Sequence, residues 1–372
     1  MQRNTMRWGL VVLFAAVVGG CALPSPSSAT DGRAGTLLLV GGGLDNDNAP
    51  VYQRFVELAA RAGAPRIVIA TAATGPQDEE ATDKTEALRV WAPGVPVEVV
   101  RRETATAETV AAIDAATAMF FTGGDQKRIT ERYRPGEQDS PEWLAMQRLL
   151  QRGGVIAGAS AGDAMMGDVM FLTGGSARAL GIAPAQPVDG EEVPLGPQLG
   201  PGMKFLPWAI TDSHFFERDR IGRLVAGLEA TARRLGIGVG EDAAVEVDLA
   251  TGVVTGVSVG DSLLVDAARL RREPTAWRGL RATVIRQGDR LSLPERLAAA
   301  AAPLPAKPAG AAQRVPVVEP GQNRQLASWR LFRQASEAGP QQPIRLQLEG
   351  WAVLAWSTGV AREVAFDLEL AP

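Results

Sequence analysis

The segment GASAG (158–162) places Ser160 in a G-x-S-x-G frame, between the apolar run VIA and a helix-compatible stretch. A nucleophile on a sharp strand-to-helix turn needs small neighbours, because bulky ones clash with the strained backbone. The next amide, that of Ala161, would face the space where an oxyanion develops. A serine hydroxyl needs a base near neutral pH, and histidine is the usual one. His214 is the only histidine in 372 residues. It lies in ITDSHFFERDRIGR (210–223), a polar, arginine-rich segment behind the apolar run FLPWAI, which argues against a core role. A third group must hold the imidazole in one tautomer and orientation. Two carboxylates compete for this: Asp212, and Glu241 in GVGEDAA. On an extended segment, side chains two positions apart point the same way, so Asp212 can reach the same site. Spacing alone does not choose between them.

Arg218, Arg220 and Arg223 follow the histidine closely. The bland reading is a solvated helix face paired with Glu217 and Asp219. Beside a nucleophile and a base, the same guanidinium forks suit substrate carboxylates. FTGGDQ (121–126) supplies a second glycine-rich stretch, which could be only a tight turn. At the carboxyl end of a strand it would offer the Gly124 amide as a second oxyanion donor and Gln126 as a substrate contact. One histidine and one cysteine leave only carboxylates for a metal, without metal-ligand spacing, so no metal or other cofactor is expected. VGGGLD lacks the third glycine of a dinucleotide fingerprint.

These residues need a scaffold. Apolar, β-rich runs recur at 35–43 (where glycines stop the run), 65–73, 95–100, 118–124 and 153–162, and helix-compatible stretches at 51–62, 83–91, 108–115 and 141–151 lie between them. Such alternation predicts a three-layer α/β fold, a mainly parallel sheet flanked by helices with a nucleophile elbow. The ligand site of such a sheet lies beyond the carboxyl ends of the strands. The strands here end in GGG, ATAA, TGGD and GASAG, where small and polar residues gather. From position 236 the pattern turns to short, hairpin-like strands. An Ala/Pro-rich run at 297–321 reads as a linker or irregular arm. Segments such as IRLQLEGWAVLAW and EVAFDLEL then predict a C-terminal β-rich extension without a catalytic motif. The expected organisation is a leader at 1–21, a tether at 22–34, a catalytic domain at 35–275, and a linker with the β-rich extension at 276–372.

Hydrophobic residues make up 46% and charged residues 22% of the chain, enough apolar side chains for a real core. A formal charge of -4 argues against nucleic acid as a partner, since nonspecific binding needs a basic surface. The N-terminus reads as an export signal, with Arg3 and Arg7 before an apolar stretch (8–18) and Gly19 and Gly20 before Cys21, the single cysteine. VVGGC resembles a bacterial lipobox. That resemblance implies a lipidated Cys21 and a membrane partner held through acyl chains, with the outer membrane favoured in a Gram-negative host because Ala22 is not acidic. The PSPSSATDGRAG that follows has tether composition.

Taken together, GGGLD, FTGGDQ, GASAG and DSHFFERDRIGRL occur in the order and spacing of the cyanophycinases, in the serine peptidase family that includes dipeptidase E. GIGVGEDAAVEV resembles the segment that follows them there, and the likeness runs roughly over 35–266. It implies a fold like that of class I glutamine amidotransferases, with Ser160 as nucleophile, His214 as base and Glu241 as the acidic member. It also implies that Gln126, Asp212, Arg218, Arg220 and Arg223 bind a peptide substrate. Cyanophycin is a polyaspartate bearing arginine on each β-carboxyl, and the family releases β-Asp-Arg dipeptides from it. Two residues depart from the family pattern: Ser213, where a glutamine is usual, and Asp163, where an alanine is usual. The region beyond about position 272 is absent from the shortest members.

Two functions are therefore expected to compete. One is an exported serine exopeptidase acting on cyanophycin or on other aspartyl or isoaspartyl peptides. The other is a noncatalytic surface binding protein with an arginine-lined pocket. The oligomeric state is open, a homodimer being one arrangement considered.

Overall fold

The computed structural model describes residues 35–182, 187–188, 191–192, 194–298, 303–315, 327–339 and 342–371. The expected leader, Cys21 and tether lie outside these residues, as do 299–302 and 316–321 of the expected linker. Among the described residues no helix is long and apolar enough to cross a membrane.

Five strands form the parallel part of the first sheet: β1 (Thr36–Val40), β2 (Ile67–Ala70), β3 (Val97–Val100), β4 (Ala118–Phe121) and β5 (Val155–Ala159). Their spatial order is β1-β5-β4-β2-β3, each neighbour parallel. The apolar runs of β1, β2, β4 and β5 are buried on both faces, as interior parallel strands must be, whereas β3 at the sheet edge leaves Glu98 exposed. In β1, Leu38 and Val40 face one core with Val51, Phe55 and Leu58 of the helix Ala49–Arg61. Leu37 and Leu39 face the other, with Ile113 of Thr106–Ala115 and Met146 and Leu149 of Pro141–Gln151. Three layers result. Two of these helices begin with a local signal: the Asn48 side chain accepts from the Val51 amide, and that of Ser140 from the Trp143 amide, with proline in the first turn of both.

Beyond β1 the first sheet continues with Ala244–Asp248, Val253–Gly256 and Arg290–Ser292, all antiparallel. A second sheet begins with the parallel pair Ala209–Asp212 and Leu235–Val239, then adds Ser262–Asp266 and Ala276–Ile285. It runs on through Glu363–Leu370, Trp351–Ser357 and Ile344–Leu348, the β-rich region expected at the C-terminus. The expected boundary at 275–276 is not a break in this structure. It falls in the turn of a hairpin, where Arg271–Glu273 pairs with Ala276–Ile285, and Arg290–Ser292 returns to the first sheet. Nor is GIGVGEDAAVEVD a hairpin. Leu235–Val239 lies in the second sheet and Ala244–Asp248 in the first, so Gly240–Ala243 crosses between them. That crossover carries Glu241.

Candidate active site

Ser160 ends β5 in a conformation few non-glycine residues adopt, φ 55° and ψ −105°. Such a turn persists only where its surroundings impose it. Its two flanking glycines are sterically required. A Cβ on Gly158 would sit 2.2 Å from the Gly162 carbonyl oxygen, and one on Gly162 would sit 2.7 Å from that of Phe121. The helix that follows is a single turn, Ala161–Ala164, shorter than the sequence pattern suggests, because the chain leaves it for the strand Val169–Thr173. The Ser160 amide is bonded to the Val40 carbonyl (3.0 Å), which ties the elbow to the end of β1.

His214 approaches from the second sheet. Its amide donates to the Gly41 carbonyl (2.6 Å), and its Nε2 lies 2.8 Å from Ser160 Oγ. Gly42 allows this approach: a Cβ there would fall 2.4 Å from His214 Nε2. On the far side, His214 Nδ1 is 2.6 Å from Glu241 Oε1. With Nδ1–H donating to Glu241, Nε2 is left free to accept the serine proton. Burial lowers the His214 pKa from its ordinary 6.5, the Glu241 hydrogen bond opposes this, and the charges of Arg218 and Arg220 lower it further. The imidazole is accordingly kept neutral, as a base must be. Glu241 is held in turn by its own amide, which donates to Glu217 Oε2 (3.0 Å).

A cleft of about 320 Å³ opens beside Ser160. Gly124, Gln126, Ala161, His214, Arg218, Arg220 and Arg223 all line it, together with Ser213. Among the described residues, the Gly124 and Ala161 amides have no protein acceptor. Gly124, at φ 133°, could carry no side chain, since a Cβ would lie 2.3 Å from the Ala73 carbonyl oxygen. Arg218 is exposed at the rim, and among the described residues its guanidinium has no partner. Arg220 is half committed: Nη1 donates to the Ser213 carbonyl (2.6 Å) and to Asp212 Oδ1 (3.1 Å), and burial pulls its pKa down to about 10. Arg223 is committed fully, to Asp212 through Nε (2.7 Å) and Nη2 (2.5 Å) and to the Gly174 carbonyl (2.6 Å), with its guanidinium carbon 4.8 Å from the centre of the Phe171 ring.

One expectation needs correction and another is narrowed. Asp212 does not contact His214. Its carboxylate is fully buried and shared by Arg220 and Arg223, because His214 adopts a left-handed φ of 45° and breaks the extended alternation that would have aligned the two side chains. Gln126 lines the cleft, but its amide nitrogen is used on the Phe171 (2.5 Å) and Leu172 (3.2 Å) carbonyls, so that group braces the strand Val169–Thr173. The sequence reading left Gly42 without a role; its signal was the glycine run at the end of the first strand. Asp163 lies fully buried behind the elbow, and neither of its carboxyl oxygens has a partner among the described residues.

Residues 37–252 match the profile of Peptidase family S51. Cyanophycinase of Nostoc sp. (strain PCC 7120 / SAG 25.82 / UTEX 2576) is 31% identical over 209 residues, covering 53% of this chain and 63% of that protein. Cyanophycinase of Trichormus variabilis (strain ATCC 29413 / PCC 7937) matches to the same extent, 31% over 209 residues. The chain thus spans 63% of the length of these relatives. A peptidase from an acI-B1 Actinobacterium superposes with a TM-score of 0.51 at 18% identity, covering 71% of this chain and 99% of that one, which is a likeness of fold. By the match of its catalytic half, the chain belongs to peptidase family S51.

Proposed function

We propose that this chain is an exported serine exopeptidase of cyanophycinase type, which hydrolyses cyanophycin to β-Asp-Arg dipeptides. The observation that carries the proposal is the unbroken chain Glu241–His214–Ser160, opening onto an arginine-lined cleft. Ser160 Oγ attacks the peptide carbonyl while His214 Nε2 takes its proton. The Gly124 and Ala161 amides hold the oxyanion, where each such donor is worth roughly 10²–10³ in rate. Collapse expels the amine, which takes the proton back from His214, and water then resolves the acyl-enzyme by the same route. Glu241 keeps Nδ1 protonated and stabilises the imidazolium. Arg218, with Arg220 behind it, offers the cationic surface that an aspartyl carboxylate requires.

Export rests on the leader at 1–21, with Cys21 as the point of lipid attachment. A second reading, a peptidase for other aspartyl or isoaspartyl peptides, is favoured by Ser213, which lines the cleft where the family usually carries a glutamine. The deciding experiment incubates residues 35–372 with purified cyanophycin and assays for β-Asp-Arg by mass spectrometry, with Ser160→Ala as control. Dipeptide from the parent alone supports the proposal. A fluorophosphonate that labels Ser160 without dipeptide release would move the substrate to shorter isoaspartyl peptides. Absence of both would leave the noncatalytic binding protein.

A further inference from the structure

The S51 match ends at residue 252, yet the chain beyond it packs against the turn that carries Arg218. The helix Ala327–Glu337 buries Leu331 and Phe332 in the same apolar cluster as Phe215, Phe216 and Ile221, which bracket the arginine-bearing turn 217–220. At the start of this helix Ser328 is 1% exposed, and its Oγ donates to Asp219 Oδ1 at 3.0 Å. Asp219 stands between Arg218 and Arg220 in a left-handed conformation (φ 46°), which an aspartate keeps only at some cost unless it is held. The neighbouring Trp329 Nε1 donates to Asp261 Oδ2 at 2.6 Å, and the Asp261 carbonyl lies against Gly240, where a Cβ would come within 3.0 Å of it. The helix therefore bears on both arms of the site: directly on the turn that presents Arg218, and through Asp261 on the crossover that presents Glu241.

We propose that Ser328 is a positioning residue and that the C-terminal extension is a working part of the substrate site: the Ser328–Asp219 hydrogen bond fixes the turn 217–220 and thereby the place of Arg218 in the cleft. The Arg218 guanidinium has no protein partner among the described residues, so its place is set by the backbone beneath it, whose amide donates to the His214 carbonyl at 3.1 Å. The role in binding an acidic peptide rests on the function proposed above; the brace itself does not.

The test compares the parent with Ser328→Ala and Ser328→Thr, the latter keeping the hydroxyl. Amide hydrogen exchange needs no substrate and decides the brace. In Ser328→Ala, exchange over 216–220 should quicken about tenfold, the effect of losing one buried hydrogen bond, while β1 and β5 stay as protected as in the parent. Ser328→Thr should restore parental exchange. With cyanophycin as substrate, KM should rise about five- to tenfold in Ser328→Ala with kcat within about twofold, and fluorophosphonate labelling of Ser160 should be unchanged. Unchanged exchange over 216–220, or a rise shared equally by β1 and β5, overturns the brace. Faster local exchange with an unaltered KM overturns its role in binding. If the parent releases no dipeptide, the cyanophycin reading fails, and the exchange result still decides the brace.

Discussion

Asp163 should make this protein less stable as the pH rises from acid to neutral. The carboxyl is fully buried, both oxygens are unpartnered among the described residues, and its pKa is pushed well above the ordinary 3.8. Burial is the main cause; Asp212 adds to it, and Arg220 opposes it. A carboxyl whose folded pKa is raised keeps its proton after the unfolded chain has released it, so the folded state binds more protons above the ordinary value. Stability from this group is then full below about 4 and falls by about 1.4 kcal/mol per pH unit until the folded value is reached. Asp163→Asn keeps the shape and cannot ionise, so it removes that slope. Guanidinium unfolding of both proteins at several pH values between about 4.5 and 7.5 gives the difference in unfolding free energy at each, and groups such as His214 and Glu217, present in both, cancel. The variant should gain on the parent as the pH rises, by up to about 1.4 kcal/mol for each pH unit, the gain levelling off once the folded carboxyl ionises. Parallel curves would refute the reasoning, since they would mean that Asp163 is charged in the fold and has found a cation.

Other expectations follow from the same geometry. Ser160→Ala should abolish dipeptide release and fluorophosphonate labelling with the unfolding midpoint within about 0.5 kcal/mol of the parent, as for a substitution that removes only a hydroxyl. Glu241→Gln leaves the shape but no longer favours Nδ1–H, and should cost about 10⁴ in kcat, the loss known for the equivalent change in a Ser-His-Asp triad; a loss below tenfold would mean that another group orients His214. Arg218→Gln removes a cation that disfavours the imidazolium, so the acid limb of the labelling-rate profile should move to higher pH, and an unmoved or lowered limb would contradict the assignment. Gly158→Ala puts a Cβ 2.2 Å from a backbone oxygen and should prevent folding at ordinary temperature, seen as loss of the cooperative unfolding transition.

Much of the scaffold can be read locally. Runs such as LLLV and IVIA are apolar without alternation because both faces of an interior parallel strand are covered, and small residues (GGG after the first, TAA after the second) follow because the chain must turn at once into a crowded site. What local pattern cannot specify is the partner of each strand. LGIGV and AVEVD read as two halves of a hairpin, yet they join different sheets, because pairing is decided by which distant strand covers each edge. The pairing of Val169–Thr173 with Gln198–Pro201 escaped notice for a related reason: its halves are far apart in sequence, with no turn signal linking them. The domain boundary at 275–276 failed in the same way, since it cuts the pairing of Arg271–Glu273 with Ala276–Ile285 inside a sheet that also takes in Glu363–Leu370.

The choice between Asp212 and Glu241 shows where proximity in sequence misleads. Asp212 ends a strand, and ordinary alternation would place it on the His214 side. The chain leaves that strand through the left-handed turn at His214, which aims the imidazole at Ser160 and leaves the aspartate beneath the arginines. Glu241, 27 positions away, reaches Nδ1 because the crossover from Val239 to Ala244 passes directly over the histidine, with the Phe215 amide bonded to the Val239 carbonyl at 3.0 Å. Each carboxylate thus has one task. Glu241 meets the imidazole at a partly exposed position, where its charge can answer an imidazolium. Asp212, with no exposure, is neutralised by two guanidiniums and fixes their direction. An aspartate already held by Arg220 and Arg223 could not also turn to His214 without leaving a buried guanidinium unpaired, a loss of several kcal/mol. The arginines that shape the substrate cleft are what remove Asp212 from the catalytic chain.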